Sequence, residues 1–168
     1  MLSYRFADEK DVHLLVSLRL DFLELISTDE EYYELKENLK KYFEEKMHYE
    51  SCVVMLAEDN AAIIGTGMLS FYDSIPSIKN KTGKSAHITN LYVHESYRKQ
   101  KIGALLLTKL VEFAREKECY SISLNASDDS KDLFSRHVFK KVEGGMIYEV
   151  PNKKLIKDNS ELYNANPL

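Results

Sequence analysis

The stretch Val93-His-Glu-Ser-Tyr-Arg-Lys-Gln-Lys-Ile-Gly-Ala-Leu-Leu-Leu is where this chain stops reading as a generic globular sequence. Ile102, Leu106, Leu110 and Ala114 recur every four residues, with Leu107 and Val111 beside them, so Ile102–Glu118 is expected as a helix with one apolar face. Arg98, Lys99 and Lys101 crowd its start. A helix N-terminus already carries about half a positive charge, so cations there cost roughly 0.3–1 kcal/mol each at low salt. The N–H groups of its first turn also need acceptors. A bound phosphate removes both difficulties together, and Gly103 and Ala104 keep the turn narrow enough for close approach. The competing reading of the same residues is a solvated basic turn.

Working outward, Ala86–Val93 is expected as a strand and Tyr120–Asn125 as another, so the helix between them makes a crossover with parallel or mixed pairing. Ala86 and Ile88 share one parity while Leu91 and Val93 share the other, a slip that a β-bulge at Thr89-Asn90 would produce. Ligands of such open sheets gather at the carboxyl ends of the strands, which puts the turn after Val93 at the centre. Upstream, Leu2–Ala7 reads as a first strand, and Asp8 or Asp11 caps a helix carrying Leu14, Leu15, Leu18, Phe22, Leu23 and Ile26. A second helix spans about Glu30–Lys46, with acidic residues in its first turn. Cys52–Glu58 and Ala61–Tyr72 form a hairpin across Asp59-Asn60, followed by a polar loop over Asp73–Ser85. Downstream come a short helix over Asp128–His137 and one or two last strands within Phe139–Val150.

Composition bounds the answer. The chain has 168 residues without a repeat or low-complexity linker, so a single domain over 1–150 with a polar tail over 151–168 is expected. Lys plus Arg number 23 against 27 Asp plus Glu, and the resulting net charge of −4 speaks against gripping nucleic-acid backbone. The apolar stretch Ile102–Leu107 falls far short of the ~20 residues a membrane span needs. No basic segment followed by an apolar one opens the chain, so no signal peptide is expected. Cys52 and Cys119 are the only cysteines, which fits packed free thiols in the cytoplasm. No metal-ligand spacing, Gly-x-Ser-x-Gly turn or P-loop pattern occurs, so metal, acyl-enzyme hydrolase and NTPase readings lack their parts.

From Ala86 to Met146 the chain resembles the GNAT superfamily of acyl-CoA-dependent N-acetyltransferases. Val93, Tyr97, Arg98, Ile102, Gly103 and Ala104 match its pattern Val-x-Pro-x-Tyr-Arg-x-x-Gly-x-Gly/Ala ahead of an apolar helix. Asn125-Ala-Ser is similar to the family's downstream strand, and Leu133-Phe-Ser-Arg-His-Val-Phe139 to its Leu-Tyr-Glu-Lys-x-Gly-Phe segment. Upstream the fit is looser, through the order of elements and the Ile64-Gly-Thr-Gly run. The resemblance implies an α/β (α+β) fold: a mixed, mostly antiparallel twisted sheet of six to seven strands with about four helices, splayed between strands 86–93 and 120–125. It implies transfer of acetyl from the cosubstrate acetyl-CoA directly to a primary amine of a small molecule or peptide. It implies no resident metal, nucleic-acid partner or membrane, and homodimers are common in the family.

Residue by residue, the resemblance implies that the backbone amides of Gln100, Lys101, Ile102, Gly103 and Ala104 hold the coenzyme A pyrophosphate, while Arg98 and Lys99 neutralise phosphates. The edge Leu91-Tyr92-Val93 pairs with the pantetheine amides, as an added strand would. Asn125 bonds the pantetheine arm or its thioester end. Arg136 stands where relatives often place a basic residue near the cosubstrate, against a reading as a solvated surface residue.

Three departures stand out. Lys101 replaces the middle glycine, and binding survives only if that position needs ordinary helical angles rather than φ > 0. Glu95 replaces the common proline. Phe134 stands where many relatives carry a tyrosine credited with protonating the departing thiolate. General acid catalysis is typically worth about 10²–10⁴-fold. A thiol of pKa roughly 8.5 is nevertheless a tolerable leaving group unaided. A slower or differently arranged enzyme is therefore expected, with a non-catalytic CoA-binding or interaction module as the alternative. The catalytic candidates are His87, as a base acting directly or through water, and Asn90, which positions water or polarises the carbonyl. Each also has a plain reading, as a polar strand residue and a polar bulge residue. His94 and His137 are expected at the surface. Asp21, Glu24, Asp29, Glu30, Glu31, Glu34 and Glu37 on the first two helices either steer a cationic acceptor or are solvated helix faces.

Overall fold

The computed structural model describes residues 1–23, 28–127, 130–136 and 139–142. The chain divides into two compact units, Met1–His137 and Val138–Leu168. The first holds all the elements below, and of the second only 139–142 are described. The order is β1 (Leu2–Phe6), α1 (Val12–Leu23), α2 (Asp29–His48), β2 (Cys52–Asp59), β3 (Ala62–Asp73), β4 (Lys84–Val93), α3 (Ile102–Glu116), β5 (Ser121–Leu124) and α4 (Lys131–Arg136).

The strands form one sheet in the order β1-β2-β3-β4-β5. β1 to β4 run antiparallel to their neighbours, and β4 pairs with β5 in parallel across the α3 crossover. Among the described residues the sheet has five strands, against the six to seven expected. The others were placed within Phe139–Val150, where 139–142 carry no strand and 143–150 lie outside the described residues. Ile26, Glu24 and His137 also lie outside them.

Local chemistry explains the boundaries. The Asp8 side chain accepts from Lys10 N, and the Asp11 side chain accepts from Asp8 N at 2.8 Å. That capping box closes a 3-10 turn over Glu9–Asp11, from which α1 starts. Thr28 caps α2, which therefore begins a residue before the expected Glu30. The β2–β3 hairpin turns through Asn60 and Ala61, both at positive φ (50° and 67°), the geometry that matches strand twist.

Each face of the sheet buries one layer. Val12, Leu15, Val16 and Leu20 of α1 and Phe43 of α2 cluster with Cys52, Val54, Leu56 and Met68. On the other face Ile102, Leu106, Leu107, Leu110 and Ala114 of α3 are almost fully buried, the stripe read from the sequence. At Gly67 two leucine side chains close over the strand, so that a Cβ would meet Leu110 Cδ1 at 2.8 Å and Leu91 Cδ1 at 3.1 Å. No helix among the described residues is long and apolar enough to cross a membrane.

Candidate functional site

β4 changes character halfway along. Ser85–Ile88 pair with Ser121–Leu124 of β5, but β4 continues to Val93 while β5 stops. Pairing of the two strands therefore ends at Ile88 and Leu124, within the span 86–93 and 120–125 where the splay is expected. The bulge is present. Gly67 of β3 faces both Asn90 and Leu91, because Met68 pairs with Thr89 and Thr66 with Tyr92. Asn90 carries a φ of 51°, in the left-handed region. The slip keeps Ala86 and Ile88 before it, and Leu91 and Val93 after it, on the face that α3 covers. Asn90 and Tyr92 turn instead to the α1 side, where a cavity of about 20 Å³ is lined by Arg19, Thr66, Met68, Asn90 and Tyr92.

The turn after β4 sits at the mouth of α3. His94 caps a 3-10 turn over Glu95–Tyr97, the Tyr97 hydroxyl donates to Asp59 at 3.3 Å, and Arg98 Nε donates to the Val93 carbonyl at 3.3 Å. That neighbouring carboxylate raises the Tyr97 pKa. Lys99 and Lys101 both adopt positive φ, 64° and 63°. The condition set for Lys101 is thus reversed: the position takes the left-handed conformation natural to glycine, and lysine adopts it at a cost of about 1–2 kcal/mol. Direction survives, since a left-handed residue followed by helical Ile102 turns successive N–H groups to one side, the geometry of an anion nest. Lys101 caps α3 with no side-chain hydrogen bond, and the first turn holds no acid. A Cβ on Gly103 would meet Val93 at 3.6 Å and Leu133 at 3.7 Å, ordinary contact. Internal crowding therefore does not demand glycine; its missing side chain leaves open the space between β4 and α4. These features fit a diphosphate.

The other candidates are placed as follows. Arg98, Lys99, Gln100 and Lys101 are exposed, Ile102 is buried, and Gly103 and Ala104 are half-buried. Asn125 is exposed and falls one residue past β5, not within it, at the point where the strands part. His87 is half-buried on the paired half of β4, its Nδ1 2.8 Å from Ser123 Oγ. Ser123 Oγ also donates to the Ala86 carbonyl at 3.4 Å, so Nδ1–H donates to Ser123, and in the neutral ring Nε2 is then the acceptor. Phe134 lies on α4 at 7% exposure. Arg136 is exposed in the last turn of α4. Cys52 is buried and free, its pKa pushed up to about 11 by burial, and burial raises half-buried Cys119 as well. Among the described residues no three His, Cys, Asp or Glu side chains come together to hold a metal.

A cleft of about 510 Å³ runs from α1 to this turn, lined by Leu18, Asp21, Thr66, Tyr92, His94 and Arg98 among others. Among the described acidic candidates Asp21 lines it; Asp29, Glu30, Glu31, Glu34 and Glu37 are exposed along α2. Arg19 and Thr66 escaped the sequence reading. Arg19 donates through Nη1 to Asn90 Oδ1, and Thr66 Oγ1 donates to the Asn90 carbonyl at 3.1 Å. Burial lowers the Arg19 pKa. The usable signal was position, since Arg19 follows Leu15 by four residues and interrupts the apolar stripe of its helix.

Comparison with known proteins gives a consistent result. Residues 16–144 match the model of the acetyltransferase (GNAT) family. A predicted acetyltransferase of Clostridium acetobutylicum, solved with acetyl-CoA, is 31% identical with a TM-score of 0.81, over 89% of this chain and 96% of that one. Glucosamine-6-phosphate N-acetyltransferase of Arabidopsis thaliana shares the fold at 19% identity and a TM-score of 0.69, over 90% of this chain and 99% of that one. The glucosamine 6-phosphate N-acetyltransferase of Candida albicans is 27% identical over 92 residues, which span 55% of this chain and only 58% of that enzyme.

Proposed function

This chain belongs to the GNAT acetyltransferase family, and from that premise we propose that it moves the acetyl group of acetyl-CoA directly to a primary amine of a small molecule or peptide. The observation that carries the reading is the end of the β4–β5 ladder at Ile88 and Leu124, so that β5 does not pair with Leu91–Val93 just ahead of the left-handed turn. An extended pantetheine arm would pair with that edge as an added strand does. The N–H groups of Gln100–Ala104 would hold the diphosphate, with Arg98 and Lys99 balancing its charge. Asn125, where β5 ends, would bond the arm near its thioester.

Acetyl-CoA brings an activated thioester, and the rest falls to this chain. A backbone N–H of Leu91–Val93 steadies the oxyanion, a donor of a kind worth about 10²–10³ in rate. Asn90 positions water or polarises the carbonyl, and His87 Nε2 accepts the amine proton through water. Neither cysteine suits an acyl-enzyme, because burial disfavours the thiolate in both; direct transfer is the simpler route. The protein works as a soluble cytoplasmic enzyme in this reading.

Phe134 favours one second reading, a CoA-binding module without catalysis. Thermal-shift titration with acetyl-CoA tests what both share; absence of any shift at millimolar ligand overturns both. Thiol release across a panel of amines then separates them. Release with an acceptor supports the enzyme, and binding without release on every acceptor supports the module. If thiolate departure limits the enzyme, Phe134→Tyr raises turnover towards the roughly 10²-fold or more that a general acid supplies.

A further inference from the structure

Asn90 is held from two sides. Arg19, on α1, reaches its side-chain oxygen, and Thr66, on β3, reaches its main-chain oxygen at 3.1 Å. We propose that Arg19 is a positioning residue: with the Thr66 hydroxyl it locks Asn90 in the left-handed conformation beyond which β4 no longer pairs with β5, and so sets which way the edge Leu91–Val93 faces. The inference rests on the reading that this edge holds the pantetheine arm.

The physical case has three parts. Asparagine visits the left-handed region more readily than most residues, but extended backbone remains the lower-energy choice in a strand. Extended backbone at Asn90 would undo the slip opposite Gly67 and turn Leu91 and Val93 away from α3, so a single dihedral decides which face the edge presents. The Thr66 bond ties the bulge carbonyl to β3, and the Arg19 bond is charge-assisted, hence stronger than a neutral one. Arg19 also sits partly desolvated on a helix stripe otherwise given to Leu15, Val16 and Leu20, a costly place for a cation unless its hydrogen bonds have a use. By accepting from Arg19, Asn90 Oδ1 leaves Nδ2 as the amide's donor, the atom able to meet a carbonyl oxygen or a water.

The test uses the full chain in four forms: Arg19→Met, Arg19→Lys, Thr66→Val, and Arg19→Met combined with Asn90→Gly. Acetyl-CoA affinity is read by calorimetry, and folding by circular dichroism. Arg19→Met weakens binding about tenfold, the size of one lost charge-assisted hydrogen bond, and Arg19→Lys recovers part of the loss. Glycine at position 90 adopts positive φ unaided, so the double variant binds within about threefold of the parent. A merely structural Arg19 would not be rescued by a change on another element. Unchanged affinity in Arg19→Met, or no rescue by Asn90→Gly, overturns the proposal. Should Arg19→Met fail to fold, Arg19→Lys and Thr66→Val carry the same comparison, each expected to weaken binding about threefold. A parent chain indifferent to acetyl-CoA would overturn the functional reading instead. The lock is then judged in the ligand-free protein by nuclear magnetic resonance. Shifts of the Asn90 side-chain amide and the Leu91 N–H in Arg19→Met support it, and unmoved resonances end it.

Discussion

The two halves of β4 make an instructive pair. From Ser85 to Ile88 the strand is bonded on both sides, to β3 and to β5, and Ala86 and Ile88 are 0% and 3% exposed. From Asn90 to Val93 it keeps β3 but has lost β5, and all four residues are half-buried. In the proposed reading one strand serves first as frame and then as site, and a single residue at positive φ stands between the two halves. A strand edge along which no ladder runs can take an added strand, whereas one spent in a ladder cannot.

That contrast can be broken in several ways. The largest effect is expected in the frame. Ile88→Ala should lower stability by about 2–5 kcal/mol, as buried large-to-small changes do, read from the denaturant midpoint. Acetyl-CoA affinity per folded molecule should stay within about twofold, as expected of a residue that only frames the site. Comparable damage to affinity would mean that the halves are not separate.

Gly103→Leu is the mirror experiment. Its Cβ has room and glycine is a poor helix residue, so melting without ligand should hold or rise by about 0.5–1 kcal/mol. The stabilisation by acetyl-CoA, about 2.7 kcal/mol at a hundredfold excess over Kd, should vanish. A variant still protected by acetyl-CoA would show that the helix mouth is not where the cosubstrate sits.

Acid probes the far edge of the frame. Arg5 bonds Asp11 at 2.7 and 2.9 Å and Glu58 at 2.7 Å. The Arg5 hydrogen bond holds the Asp11 carboxyl below its ordinary value. A carboxylate depressed on folding stabilises the protein above its unfolded pKa of about 4, and that stability is lost as pH falls through the lower folded value. Asp11→Asn should cost about 1 kcal/mol at pH 7, where Arg5 is partly exposed and screened, and flatten the decline in melting temperature below pH 4. A decline as steep as the parent's would assign acid sensitivity elsewhere.

The smallest effect is at Lys101. Replacement by glycine relieves left-handed strain but loosens the unfolded chain, so the net gain should not exceed about 1 kcal/mol. Acetyl-CoA affinity should fall only about threefold, because the N–H remains while one cation is lost. A large loss would make the lysine charge, and not the backbone nest, the main anchor.

Much of this was legible in the chain. The four-residue recurrence from Ile102 to Ala114 and the cations before it marked the α3 mouth, because helical spacing and helix-end electrostatics are local properties. The parity change between Ile88 and Leu91 located the bulge for the same reason, since side-chain direction alternates along any strand. The acidic residues of α2 were less informative, because charge content alone does not distinguish a solvated face from a cleft wall; among the acidic candidates on α1 and α2 described, Asp21 lines the cleft. Strand ends were harder too: Asn125 looked like a continuation of β5, but pairing with β4 stops at Leu124.

The sequence by itself determined where a helix headed by cations begins and where a strand changes face, because both follow from residues within a few positions of each other. Tertiary structure alone decided that Lys101 takes a glycine's conformation, that β4 leaves β5 after Ile88, and that Arg19 meets Asn90 across a separation of 71 residues. Those outcomes depend on which surfaces the fold brings together, and spacing along a chain carries no record of that.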